Sequence, residues 1–292
     1  MKPTGKAVGH LCAIFCIVVW GTTFIVSTML LEHYTPIQTM FMRFIGAYAV
    51  LWCMYPKWHF HWRDEVGFLL MSLFSNTLYF MAENTALTLT QSSNVSILVS
   101  TAPVITALLL LFLPDGERVT RNIVAGIAIA FLGVILVVFN GSVVLKLNPA
   151  GDLIAIGAAV SWSIYSIILR RYSGRFSSYL LARKLMFYGI LTTLPLLLIE
   201  HAPMDWSALL TPRLLLGLLF LTVVGSALCY VAWNTAVGVL GVLHTNIYIY
   251  AVPFVTMITA ALCLHESITL MGVFGTILII SGMVISSLHQ SE

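Results

Sequence analysis

Ten apolar runs, each about as long as a bilayer is thick, follow one another along the 292 residues of this chain. A hydrocarbon core about 30 Å thick takes about 20 helical residues at 1.5 Å each. The runs lie at 8–30, 36–55, 66–87, 92–113, 121–140, 151–169, 178–199, 212–237, 242–264 and 268–288. Turn or charge chemistry separates most of them: Glu32-His33, Lys57 to Glu65, Pro114 to Glu117, Asn140-Gly141, Arg170 to Arg175 and Glu200 to Asp205. The breaks at 88–91 and from Gly238 to Gly241 are softer. Hydrophobic residues make up 60% of the chain and charged ones 9%, against about 45–50% and about 25% in soluble domains. So few charges cannot cover a soluble surface, and most of the chain is expected to face lipid. The first run extends from Ala7 past Trp20 without a cleavage site, which makes it a retained span rather than a signal peptide.

Charge placement gives a topology. With ten spans and a cytoplasmic N-terminus, Lys2, Lys6, Lys57, Arg63, Arg118, Arg121, Arg170, Arg171 and Arg175 lie inside, and only Lys146 and Arg213 outside. Nine against two is a positive-inside bias, so both termini are expected in the cytoplasm. The net charge of +3 is small and scattered, with no basic, aromatic-interleaved run, which argues against a nucleic-acid partner. Cys12, Cys16, Cys53, Cys229 and Cys263 lie in apolar runs without a CxxC pair and read as small apolar side chains. His59 and His61, in the aromatic cluster 58–62, lack a third ligand. Neither a metal nor a cofactor is expected.

Shifting the chain by 150 residues aligns 82–106 with 232–256, and seven of these 25 positions are identical, among them Asn84/Asn234, Thr85/Thr235 and Pro103/Pro253. About two would be expected by chance, so the chain is read as a repeat. At a shift of 149 the match continues through Glu117/Glu266, Thr120/Thr269, Gly126/Gly275 and Gly133/Gly282. The expected units are 1–147 and 148–292, five spans each. Because five is odd, the second unit enters the membrane from the opposite side. Inverted repeats that rock about a midplane site are a signature of secondary transporters.

These residues also carry a resemblance. Trp20-Gly21, Pro36, Arg43-Phe44, Thr101-Ala102-Pro103, Gly116-Glu117-Arg118-Val119-Thr120, Gly126 and Gly133 resemble the EamA-like repeat of the drug/metabolite transporter superfamily. Ala251-Val252-Pro253, His265-Glu266-Ser267-Ile268-Thr269, Gly275 and Gly282 form the second copy. The resemblance implies an all-α ten-helix bundle, cytoplasmic termini, a central cavity lined mainly by spans 1, 3, 4, 6, 8 and 9, and export of small organic solutes. The chain departs from the pattern at Trp162-Ser163, where the family has Trp-Gly, and in carrying Glu83.

Ionisable groups at membrane depth are costly, about 2.5–3.5 kcal/mol at a helix centre, and mark function by default. Glu83 is the one acidic residue placed inside a span; Asp152 and Glu266 fall at span ends. It shares a helix face with Ser72, Asn76 and Tyr79, which suits a cavity wall or polar partners. A carboxyl there is able to carry a proton or to neutralise a cationic solute. Ser96 and Ser100 share a face with Pro103, as Asn246 and Tyr250 do with Pro253, and the paired prolines suggest a hinge or gate. Trp20 and Thr23 in span 1, Trp162 and Tyr165 in span 6, and Tyr230 and Trp233 in span 8 complete the expected pathway. Arg43, Arg183 and Lys184 lie about 10 Å into their spans and read as snorkelling or as intra-bundle ion pairs. The paired glycines of spans 5 and 10 read as close helix contacts.

Together these features describe a secondary active exporter of small organic metabolites or drugs, in a bacterial cytoplasmic (inner) membrane, with proton coupling through Glu83 as one option. The expected partners are a small organic solute and the lipid bilayer, with a homodimer as a further option. A phosphorylated-solute or nucleotide-sugar antiporter is the alternative, then a channel or receptor. No GxSxG, HExxH or GxxxxGK[ST] motif occurs, which argues against an intramembrane enzyme or an ATP-driven pump in this chain.

Overall fold

The computed structural model describes residues 3–90, 92–113, 120–139, 148–264 and 270–287. Among these residues the regular structure is helical, joined by turns and short loops, apart from an isolated bridge between Ser173 and Phe176. The elements are α1 (Pro3–Leu31), α2 (Pro36–Met54), α3 (Trp62–Ser72), α4 (Tyr79–Leu89), α5 (Ser92–Val99), α6 (Ala102–Leu111), α7 (Arg121–Phe139), α8 (Pro149–Tyr172), α9 (Ser178–Glu200), α10 (Pro212–Leu219), α11 (Cys229–Leu240), α12 (Val242–Ile247), α13 (Val252–Leu264) and α14 (Leu270–Ser287). Seven stretches are long and apolar enough to cross a membrane, and Val95–Leu111, Arg121–Leu136 and Leu270–Ser286 are shorter apolar helices.

Local chemistry sets the helix ends. Thr35 caps α2 in a reciprocal box with Gln38, Asn148 caps α8 and Ser177 caps α9, each satisfying a backbone N–H that helical bonding leaves open. Pro36, Pro149 and Pro212 occupy first helical positions, where a missing N–H costs nothing. Both soft breaks are helix ends. α4 stops at Leu89, and α11 stops before Gly241, whose φ of 83° is a left-handed value that favours glycine.

Two helices widen at repeat-related positions that end 150 residues apart. π-helical turns run through Leu73–Leu78, between α3 and α4, and through Phe220–Leu228, between α10 and α11. The apolar run containing Pro103 is broken at Ser100-Thr101, and the one containing Pro253 passes through a 3-10 turn, Tyr248–Ala251. Hydroxyls take up backbone carbonyls near the first break: Ser100 donates to Ser96 at 2.7 Å and Thr101 to Leu98 at 2.6 Å.

α1 packs against α11 and α13, while α8 packs against α4, α5 and α6, so each of these long helices crosses to the opposite part of the chain. α7 and α14 form the closest pair. A Cβ on Gly282 would lie 2.5 Å from the Gly126 carbonyl oxygen, and one on Gly133 would lie 2.5 Å from that of Gly275. Glycine is required there because two backbones touch. The core holds polar groups such as Ser72, Asn76, Arg43 and Glu83, whereas Leu11, Leu153, Leu198 and Phe274 project outward. That distribution suits a hydrocarbon solvent.

Candidate functional site

α1, α2, α4, α5, α8 and α11, with the 3-10 turn Tyr248–Ala251 and the starts of α6 and α13, converge on one small cavity of about 40 Å³. Its wall is mostly aromatic and aliphatic: Trp20, Phe24, Phe80, Val99, Trp162, Tyr230, Ile249 and Val252. The polar exceptions are Thr23, Arg43, Tyr79, Glu83, Ser96 and Ser100.

Arg43 reaches this wall through the π turn that faces α2. Its Nε donates to Ser226 Oγ, its Nη2 donates to the Gly225 carbonyl at 3.2 Å, and the guanidinium lies 4.3 Å from the Phe80 ring centroid. The Trp20 indole donates to the same Gly225 carbonyl at 3.1 Å. Gly225 leaves room for this: a Cβ there would sit 3.0 Å from Thr23 and 3.5 Å from Arg43. The carbonyl of Ser75, 150 residues earlier in the other π turn, accepts from the Tyr230 hydroxyl at 3.1 Å. π turns shift the backbone hydrogen-bond ladder and recur at functional sites.

Glu83 is 4% exposed and interacts with the hydroxyl of Tyr79, one turn before it. Arg43 is its principal cationic neighbour. Among the described residues, no carboxylate lies within 4.0 Å of the Arg43 guanidinium. The cavity therefore carries a guanidinium and a carboxyl group that, among the described residues, form no direct ion pair.

Trp162 is the hub of the aromatic layer. Its ring meets Trp20 edge-on at 5.3 Å, Tyr79 at 5.2 Å, Tyr165 at 5.1 Å and Trp233 at 5.7 Å. Its indole N–H donates to Asn246 Oδ1 at 3.1 Å, and the Tyr165 hydroxyl donates to Asn234 Oδ1 at 3.0 Å. Behind this layer the Nδ2 atoms of Asn234 and Asn246 and the Nε1 of Trp233 are buried with no hydrogen-bond partner among the described residues. Each such donor costs about 1–3 kcal/mol while unpaired.

The EamA-like transporter family model matches the chain twice, over residues 7–139 and 149–288. The chain belongs to this family. Its relatives include an uncharacterized transporter of Archaeoglobus fulgidus, 25% identical over 97% of this chain and 98% of that one. Proteins described as probable amino-acid metabolite efflux pumps in Salmonella typhimurium and Escherichia coli are 26% and 25% identical, each over 94% of this chain and 93% of their own. A solved crystal structure shares the fold with a TM-score of 0.79 at 20% identity, covering 99% of this chain and 98% of that one. The protein is thus an integral, multi-pass membrane transporter of the EamA family.

Within this EamA-like chain, eight of the thirteen pathway residues read from the sequence line the cavity: Trp20, Thr23, Tyr79, Glu83, Ser96, Ser100, Trp162 and Tyr230. The other five lie off the wall. Asn76 and Ser72 bind the Leu185 carbonyl at 2.7 and 2.6 Å, holding the first π turn to α9. Tyr165, Trp233 and Asn246 stand behind Trp162, and Tyr250 packs in the separate apolar cluster around α7 and α14.

Arg43 and Arg183 differ from their sequence reading, while Lys184 forms the expected intra-bundle ion pair. Arg43 neither snorkels nor forms an ion pair; it turns inward to the cavity. Arg183 ties the end of α2 by donating to the carbonyls of Tyr55 and Lys57, while Lys184 pairs with Glu65 at 2.6 Å. Glu65 falls inside the apolar stretch because its helix begins at Trp62, and it is buried. Arg43 had a visible signal in its depth within span 2, but only the π turn opposite gives it an inward partner. His59 and His61 lie 3.6 and 3.5 Å from Asp64 in a surface charge cluster with Arg175. The motif residues Gly116 to Val119 and His265 to Thr269, with Lys146, lie outside the described residues.

Proposed function

We propose that the chain is a secondary active exporter of small organic metabolites that works by alternating access, with ten spans arranged as two inverted units, 1–147 and 148–292, and both termini in the cytoplasm. The observation that carries this reading is the cavity between Trp20, Trp162, Arg43 and Glu83: mostly apolar, ring-lined, with one group of each charge on its wall. Such a wall favours neutral or zwitterionic organic solutes over phosphates, which need several converging cations. The names of the Salmonella typhimurium and Escherichia coli relatives agree with export of amino-acid metabolites.

Alternating access is supported by the two matches of the family model, over 7–139 and 149–288, and by the helix interruptions beside Pro103 and Pro253 in both halves. Pro103 and Pro253, beside the two interrupted helices, are the proposed hinges, and Glu83 is the proposed proton carrier. The direct test is counterflow of labelled solutes into proteoliposomes, screened across amino acids, amines, organic acids and sugar phosphates. Saturable counterflow of a zwitterion or neutral solute supports the reading. Counterflow of phosphorylated solutes alone would move the chain to the antiporter alternative, and flux without counterflow to a channel.

A further inference from the structure

A second cavity, separate from the first, lies where α2 ends and α3 and α9 begin. It has a volume of about 190 Å³ and is lined by Tyr48, Trp52, Trp58, Phe187, Arg183 and Lys184, among others. We propose that it is a binding site for an anionic phospholipid, with the headgroup phosphate on Arg183 and an acyl chain along the rings of Trp52, Tyr48 and Phe187.

The charge balance points to an anion. Arg183 and Lys184 face one carboxylate, Glu65, and Glu65 is committed to Lys184 at 2.6 Å and to the Tyr188 hydroxyl at 2.7 Å. Arg183 is 3% exposed, and among the described residues no carboxylate lies within 4.0 Å of it. Its guanidinium rests 4.4 Å from the Trp52 ring centroid, which occupies its face. Of the five N–H groups of an arginine, two donate to the carbonyls of Tyr55 and Lys57. Among the described residues the other three have no hydrogen-bond partner, enough for the paired contacts that a phosphodiester accepts from a guanidinium.

The shape of the site points to a lipid rather than a soluble anion. Trp58, 79% exposed, stands at the mouth with Phe60 and Trp62 beside it, as rings do at a membrane interface. From Trp58 a chain of rings leads inward: Trp52 at 6.2 Å, then Tyr48 at 6.2 Å, then Phe187 at 5.8 Å. This wall is long and apolar and begins at the buried cation, matching a phosphate joined to a hydrocarbon tail. Lys57, Arg63, Arg170, Arg171 and Arg175 lie at the ends and loops of the helices around it, and such a basic face draws anionic headgroups.

The test uses the full-length chain, purified and stripped of lipid, with bound lipid counted by native mass spectrometry. Dioleoyl phosphatidylglycerol, dioleoyl phosphatidylcholine, glycerol 3-phosphate and inorganic phosphate are the probes. Phosphatidylglycerol is expected to be retained about tenfold over phosphatidylcholine: both offer the phosphodiester, but the choline cation meets Lys184 and the basic residues around the site. Arg183→Gln should weaken retention of phosphatidylglycerol about tenfold. Because Arg183 also holds the end of α2, Trp58→Ala is the second variant. Its ring is exposed, and its loss should weaken lipid retention without unfolding the chain. Equal retention of the two lipids by the wild-type chain would overturn the proposal. So would displacement of the lipid by millimolar glycerol 3-phosphate or inorganic phosphate, which would make the site one for free phosphate.

Discussion

Arg43 on α2 and Glu83 on α4 line the same cavity without forming an ion pair; the guanidinium is spent instead on Ser226, the Gly225 carbonyl and the Phe80 ring. Glu83 is left with the Tyr79 hydroxyl and open space. A carboxyl arranged this way is free to bind and release a proton or a cationic group without breaking a salt bridge.

Glu83→Gln is therefore expected to abolish uphill, pH-dependent accumulation in proteoliposomes while downhill exchange continues. The amide keeps the shape and can still accept from Tyr79, so packing would not account for the loss. Accumulation that keeps its pH dependence would exclude Glu83 as the coupling group.

Arg43→Lys tests the fork. A lysine keeps the charge but replaces a planar group holding Ser226 and Gly225 together with a point charge. Losing one buried contact of this kind costs about 1–3 kcal/mol, which should appear as a lower unfolding midpoint in detergent and as weakened transport. A variant matching wild type in both would make the fork incidental.

Tyr79 and Asn76 lie three residues apart and differ in surroundings. In a cysteine-free background, Tyr79→Cys should react with a water-soluble thiol reagent and be protected by solute, because Tyr79 lines the cavity. Asn76→Cys should stay unreactive, since position 76 faces the Leu185 carbonyl against α9. Equal labelling at both positions would contradict this contrast.

At the contact of α7 with α14, Gly282→Ala should destabilise the chain by about 1–3 kcal/mol, the usual cost of overpacking. The added Cβ would meet the Gly126 carbonyl oxygen at 2.5 Å and the Ala130 nitrogen at 2.6 Å, and backbone cannot move aside as a flexible side chain can. Thermal unfolding measures this directly. An unchanged midpoint would mean the two helices separate freely.

The proposed topology is checked by reporters fused after Glu292 and inserted at Ala202. Cytoplasmic signal from the first and periplasmic signal from the second are expected. Both on one side would break the ten-span, inverted arrangement.

Several features of this chain are written in its sequence because the bilayer enforces them locally. The apolar runs, the capping residues Thr35, Asn148 and Ser177, and the turn at Gly241 each depend on neighbours within a few residues. The face carrying Tyr79 and Glu83 was legible for the same reason, since helical spacing alone aligns them. Tertiary structure decided what those faces meet. Ser72 and Asn76 share that face with Glu83, yet α9 lies against them and takes their hydrogen bonds, so the cavity begins only at Tyr79. Arg43 and Arg183 sit at similar depth in their helices, and sequence treats them alike. Arg43 meets a π turn with a glycine carbonyl turned toward it, while Arg183 meets the end of α2. Where a charge goes inside a membrane protein depends on which distant carbonyl is open to receive it, and only the packed fold supplies that.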